Sequence, residues 1–196
     1  MKKQRQLQLI IVGLITQLAL APCISHAYQP NLYAEGLRAE FSGDYGLAVH
    51  KYELSAQSGL SDAKFVLGRL YRDVYGDAEN SFKWFLEAAK QGNAFAQYEV
   101  ATLYRHGNEV VTQDAEQAIK WLRAAAKRGS GQAAYALFEI VTDENEAVTW
   151  LQIAADRGVV DAMNELGNAY NNGAYGFNVD NSLGQKWLEE AARSQE

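Results

Sequence analysis

KWFLEAAKQG, residues 83–92, and KWLRAAAKRG, residues 120–129, are nearly the same ten residues written twice in one chain. The repetition extends outward from both. Tryptophan stands at 84, 121, 150 and 187 and nowhere else. Four residues after each comes an alanine pair: Ala88-Ala89, Ala125-Ala126, Ala154-Ala155 and Ala191-Ala192. Eight after the first three comes Gly92, Gly129 or Gly158. Three before each is Ser81, Ala118, Ala147 or Gly184, and seven before is Asp77, Asp114, Asp143 or Asp180. A fainter copy precedes these, with Lys51 in the tryptophan slot, Asp44, Ala48 and Ser55-Ala56 around it, and Gly59 closing.

These offsets read as a helix with both ends marked. Aspartate is a preferred N-cap, because its carboxylate accepts from the unpaired amides of the first turn. Asp143 with Glu146, and Asp114 with Gln117, also fit a capping box. The small residue, the tryptophan and the alanine fall on one helical stripe. Glycine eight residues on is a stop signal. This unit is termed helix B, and its register predicts that Trp84 and Trp121 are core rather than a ligand cage.

Between each glycine and the next aspartate runs a second pattern. Ala63, Ala96, Ala133 and Ala162 open it. Leu67-Gly68, Val100-Ala101, Leu137-Phe138 and Leu166-Gly167 follow four residues later, then Tyr71, Tyr104, Val141 and Tyr170. Spacing i, i+4, i+8 is one helical face, here helix A, and Gly68 and Gly167 leave room for helix B to approach. Length differences fall between helix A and the capping aspartate, where His106-Gly107 and Asn172-Gly173 mark the longer turns. A stack tolerates insertions there. One helical hairpin cannot bury its own apolar face, and repeating it builds a continuous core. The expected fold is all-α: a solenoid of about five antiparallel helix pairs, at 32–59, 60–92, 93–129, 130–158 and 159–193.

The first 27 residues differ from the rest. Lys2, Lys3 and Arg5 form a basic head, residues 7–21 are mostly apolar, and Ser25-His26-Ala27 resembles a cleavage site. That is the build of a secretory signal peptide. A mature domain of residues 28–196, beginning at Tyr28, is therefore expected to be periplasmic or secreted, without a membrane span. Leu20-Ala21-Pro22-Cys23 is a poor lipobox, with proline where a small residue belongs, and the sequence leaves open whether Cys23 is ever lipidated. Removing residues 1–27 takes away three basic groups and no acid, which moves the formal charge from −6 to −9. A net anionic protein lacks the electrostatic footprint for nucleic acid. Cys23 is the only cysteine, so the mature chain has no thiol for a disulfide, a metal or a nucleophile.

The pattern Ala-x3-Leu-Gly-x2-Tyr, followed by Asp-x3-small-x2-Trp-x3-Ala-Ala-x2-Gly, resembles the Sel-one-like repeat (SLR) family, a longer relative of the tetratricopeptide repeat. The best copies are 63–92, 96–129 and 162–192. The copy at 133–158 is shorter and lacks the tyrosine. The resemblance implies a right-handed superhelix acting as an adaptor or scaffold for protein segments. For a bacterial member with a signal peptide it implies a role in envelope assembly, regulation or host interaction. A cysteine-rich subgroup of the family is linked to weak β-lactamase activity; its paired cysteines are absent here.

Chemistry of other kinds finds little support. His50 and His106 sit in different repeats without ligand spacing, so no metal is expected. No nucleophile elbow or phosphate loop occurs. Neither catalytic residues nor a cofactor are expected, and a cell-wall or β-lactam hydrolase built on the solenoid is the alternative to a scaffold. The expected binding groove is the helix A face of the middle repeats: Phe65, Arg69, Arg72, Tyr98, Thr102, Arg105, Tyr135 and Glu139. Aromatic residues with arginine are the composition of binding hot spots. The three arginines predict a protein or peptide partner with acidic groups. Beyond Trp187 and Ala191-Ala192 no further helix A follows, which predicts a face open to self-association.

Overall fold

The computed structural model describes residues 30–195, and the expected export segment at 1–27, including Cys23, lies outside the described residues. Ten α-helices make five hairpins among the described residues. They are α1 (Pro30–Phe41) with α2 (Tyr45–Gln57), α3 (Ser61–Asp73) with α4 (Ala78–Lys90), and α5 (Ala94–His106) with α6 (Ala115–Lys127). α7 (Gly131–Ile140) with α8 (Glu144–Asp156), and α9 (Val160–Asn172) with α10 (Asn181–Arg193), complete the set. Odd-numbered helices are helix A and even-numbered ones helix B. Each helix packs on its hairpin partner and on the helices adjoining it in sequence, which makes an open stack. No described helix is long and apolar enough to cross a membrane.

The end signals act as their chemistry dictates. Asp44, Asp77, Asp114, Asp143 and Asp180 each cap a helix B, accepting from the amides of Leu47, Asn80, Gln117, Glu146 and Leu183. The glycine stops bend the chain through the left-handed region. Gly129, at φ +99, donates to the Ala126 carbonyl at 3.0 Å while Ser130 donates to Ala125 at 3.1 Å. That pair of bonds satisfies two orphan carbonyls at the helix end. Arginines lie against two of these ends. Arg157 reaches back to the Ala126 carbonyl at 2.7 Å, and the Arg128 guanidinium lies directly over Gly92.

The core is one residue out of register from the tryptophans. All four tryptophans are half-buried. The residue after each of the first three, Phe85, Leu122 and Leu151, is fully buried, as is Tyr52 in the first hairpin. The reason is geometric: adjacent helical positions differ by about 100°. Phe85 points straight at its own helix A, into the gap left by Gly68. A Cβ on Gly68 would stand 2.5 Å from a Phe85 ring carbon, so only glycine fits beneath that ring. Gly36 beneath Tyr52 repeats the arrangement. Trp84 and Trp121 instead seal the seam to the preceding repeat. Trp84 packs on the cluster built from α1, α2 and α3, and Trp121 on the one built from α4 and α5.

The last two hairpins are less regular. α7 stops at Ile140, because Val141 is extended. At the far end Ala192 is exposed, whereas Ala89, Ala126 and Ala155 are buried. Leu188 is only half-buried for the same reason: no described helix covers that side of α10.

Candidate protein-binding face

Side chains link successive A helices, α3 to α5 through Phe65–Phe95 and Arg72–Glu99, and α5 to α7 through Arg105–Glu139. Phe65 packs on Phe85 and on Phe95, with ring centroids 5.8 and 5.7 Å apart. Phe95 is 72% exposed and extends the aromatic row outward. Tyr98 is half-buried against the central core. Thr102 is bonded to its own helix, its hydroxyl donating to the Tyr98 carbonyl at 3.0 Å.

The three arginines do not converge. Arg69 pairs with Glu40 on α1, and that carboxylate also accepts from the Tyr52 hydroxyl at 2.9 Å. Arg72 pairs with Glu99 on α5 at 2.7 Å and with its neighbour Asp73 at 2.7 Å. Its guanidinium also lies 5.4 Å from the centre of the Phe85 ring. Arg105 pairs with Glu139 on α7 at 2.9 Å. Arg69 thus bridges back to the preceding helix A, and Arg72 and Arg105 forward to the next, forming an ion-pair ladder along the stack. An acidic partner would have to displace these acids, so the ladder removes the ground for expecting one.

Toward α9 the face changes character. Tyr135 and Phe138 on α7 lie 5.9 Å apart, and Tyr175 meets Phe138 edge-on at 5.6 Å. Tyr175 belongs to the longer turn between α9 and α10 and is the one non-glycine residue at positive φ among those described, at +53°. Its hydroxyl donates to Glu165 at 2.6 Å. That bond, followed by burial, pushes the Tyr175 phenol up to about 12. Burial also raises the Tyr135 phenol, assisted by the negative charges of Glu139, Asp161 and Glu165. Phe138, Asp161, Glu165 and Tyr175 were absent from the expected groove. Their signal was the aromatic in the Leu137-Phe138 pair, where other repeats carry glycine or alanine, and the aromatic residues of the 173–179 turn.

The surface also has open hollows. One of about 460 Å³ is bordered by Leu37, Phe41, Tyr45 and Val74 and takes in Glu40 and Arg69 of the ladder. Another of about 410 Å³ lies between Met163 and Trp187. Among the described residues no three His, Cys, Asp or Glu side chains are grouped so as to hold a metal. His50 and His106 are exposed.

The model of the Sel1 repeat matches this chain at 61–93, 94–130, 132–159 and 160–195. Hairpin α1–α2 lies before the first match and continues the same stack. Among solved structures, a protective antigen of uropathogenic Escherichia coli displaying an SLR fold is 30% identical, with a TM-score of 0.72 over 82% of this chain. This chain spans 37% of that protein's length. A Sel1 repeat protein from Oxalobacter formigenes is 25% identical, with a TM-score of 0.75 over 83% of this chain and 72% of its own. The MamA protein shares the fold at 18% identity, with a TM-score of 0.51 over 85% of this chain and 91% of its own. No curated protein matches. Four matched repeats in register, each a capped hairpin in the stack, mean that this chain belongs to the Sel1 repeat family.

Proposed function

We propose that this chain is an exported scaffold of the bacterial cell envelope that holds a protein segment along its helix A face. Sel1-type repeats commonly mediate protein–protein contact, and solenoids do so through extended surfaces rather than closed pockets. The observation that carries the reading is the aromatic row Phe65, Phe95, Tyr98 and Tyr135, half-buried or exposed on adjoining A helices. Such rings supply large contact area at low entropic cost, as binding hot spots require. Export is supported by the basic head, apolar stretch and Ser-x-Ala site of residues 1–27.

A photo-crosslinking residue at Tyr98 or Tyr135, installed in the protein in its native compartment, tests the face. The same residue at Lys120, exposed on the B side of α6, is the control. Adducts to a discrete protein from the first two positions and none from Lys120 are expected. Equal or stronger adducts from Lys120 would move the binding surface to the B helices. Intact mass of the exported form should correspond to a chain beginning at Tyr28; retained Met1 or a lipid on Cys23 would contradict the export route.

A further inference from the structure

The charge on the helix A face is unevenly compensated. On α3 and α5 the acids and arginines neutralise one another through the ladder. From residue 131 to 180 there are eight acids, and Arg157 is the only Lys or Arg; Glu139 and Glu146 are paired with Arg105 and Arg123 from outside, whereas Asp161 and Glu165 stand on α9. Arg157 is committed elsewhere, donating to the carbonyls of Ala126 and Ser130. Neither α7, α9 nor the 173–179 turn contains a basic residue. Asp161 is exposed and in no ion pair among the described residues, and Glu165 is bonded only to the Tyr175 hydroxyl. Glu165 is bonded to Tyr175, both carboxylates lie near Tyr135, and Phe138 contacts both of those rings.

Carboxylates beside aromatic faces form a surface complementary to a guanidinium or ammonium group. The ring attracts the cation through its quadrupole, and the carboxylate receives its N–H donors, two at once from an arginine. A bound metal would need ligands grouped around one point, which the described residues do not provide. A solvated acidic surface would need no aromatic floor.

We infer that the α7–α9 half of this face, with the Tyr175 turn as its wall, receives an extended, arginine- or lysine-bearing segment of a protein partner. The inference rests on the helix A face being the binding surface and adds the chemistry of what it binds. It replaces the acidic partner that the three arginines suggested by sequence.

Calorimetric titration of the exported chain with the peptides GRGRGRGRG and GEGEGEGEG, at low and at physiological salt, tests it. The basic peptide should bind at least tenfold more tightly than the acidic one. Asp161→Asn/Glu165→Gln should weaken it at least tenfold. Glu116→Gln/Glu144→Gln removes the same charge from the B helices and should weaken it less than twofold. Tyr175→Ala should weaken it severalfold, with an unchanged melting curve showing that the fold persists. Equal losses from the two double variants would reduce the effect to net charge and overturn the inference. No binding of the basic peptide would overturn it too, while adducts from Tyr98 and Tyr135 would still support the helix A face. Tighter binding of the acidic peptide, lost in Arg72→Ala/Arg105→Ala, would keep the face and reverse the chemistry.

Discussion

Hairpins α3–α4 and α9–α10 are built from helices of 13 residues with the same aspartate cap, yet they solve packing and charge differently. In the first, Phe85 is 0% exposed over Gly68, and the helix A arginines are spent on neighbouring acids. In the second, Leu188 sits over Gly167 but is half-buried, and its helix A carries acids with no arginine or lysine. A position in the repeat therefore fixes the shape of the helix pair but leaves its surface chemistry free. Stability is concentrated where neighbours cover both sides, and unspent charge where they do not.

The largest expected effect separates the two cores. Phe85→Ala should destabilise the protein by ~3–5 kcal/mol, the usual cost of emptying a fully buried aromatic site. Leu188→Ala should cost about 1–2 kcal/mol, below the range for fully buried leucines, because its site is already open. Denaturant melts measure both, and equal costs would break the contrast between covered and uncovered repeats. Trp121→Ala belongs between them, since its ring is half-buried at a seam.

A smaller effect sharpens the contrast in charge. Arg72→Ala and Arg105→Ala should each cost ~0.2–1 kcal/mol, as partly exposed ion pairs do, and less at high salt. A loss well above this range that ignores salt would make the ladder a structural keystone instead of a charge balance.

The smallest effect is a titration. The Tyr175 phenol is raised to about 12, chiefly by its bond to Glu165. An unfolded tyrosine titrates near ~10. A pKa raised on folding means the contribution is complete below ~10 and fades as pH climbs through about 12. The difference in phenolate absorbance between wild type and Tyr175→Phe should therefore rise near 12. A rise near 10 would detach the turn from α9.

Much of the fold was legible because its signals are local. An aspartate cap and a glycine stop act within one turn of chain, so they announce helix ends wherever they occur. The register of the core was legible only to within one residue. Trp84 and Phe85 both point inward, and whether Gly68 or the preceding repeat receives each ring depends on how hairpins stack. The ladder was hidden for the same reason: Arg72 and Glu99 lie 27 residues apart and meet only across a repeat boundary. Tyr175 was least legible, because its place on the face comes from a left-handed residue in a turn, where side-chain direction follows no period.

The binding face is tested most directly by hydrogen–deuterium exchange of residues 28–196, with and without GRGRGRGRG at saturating concentration. Slowed exchange is predicted in α7, α9 and the 173–179 turn, with α6 and α8 unchanged. Slowing confined to α6 and α8, or spread evenly over all five hairpins, would contradict it.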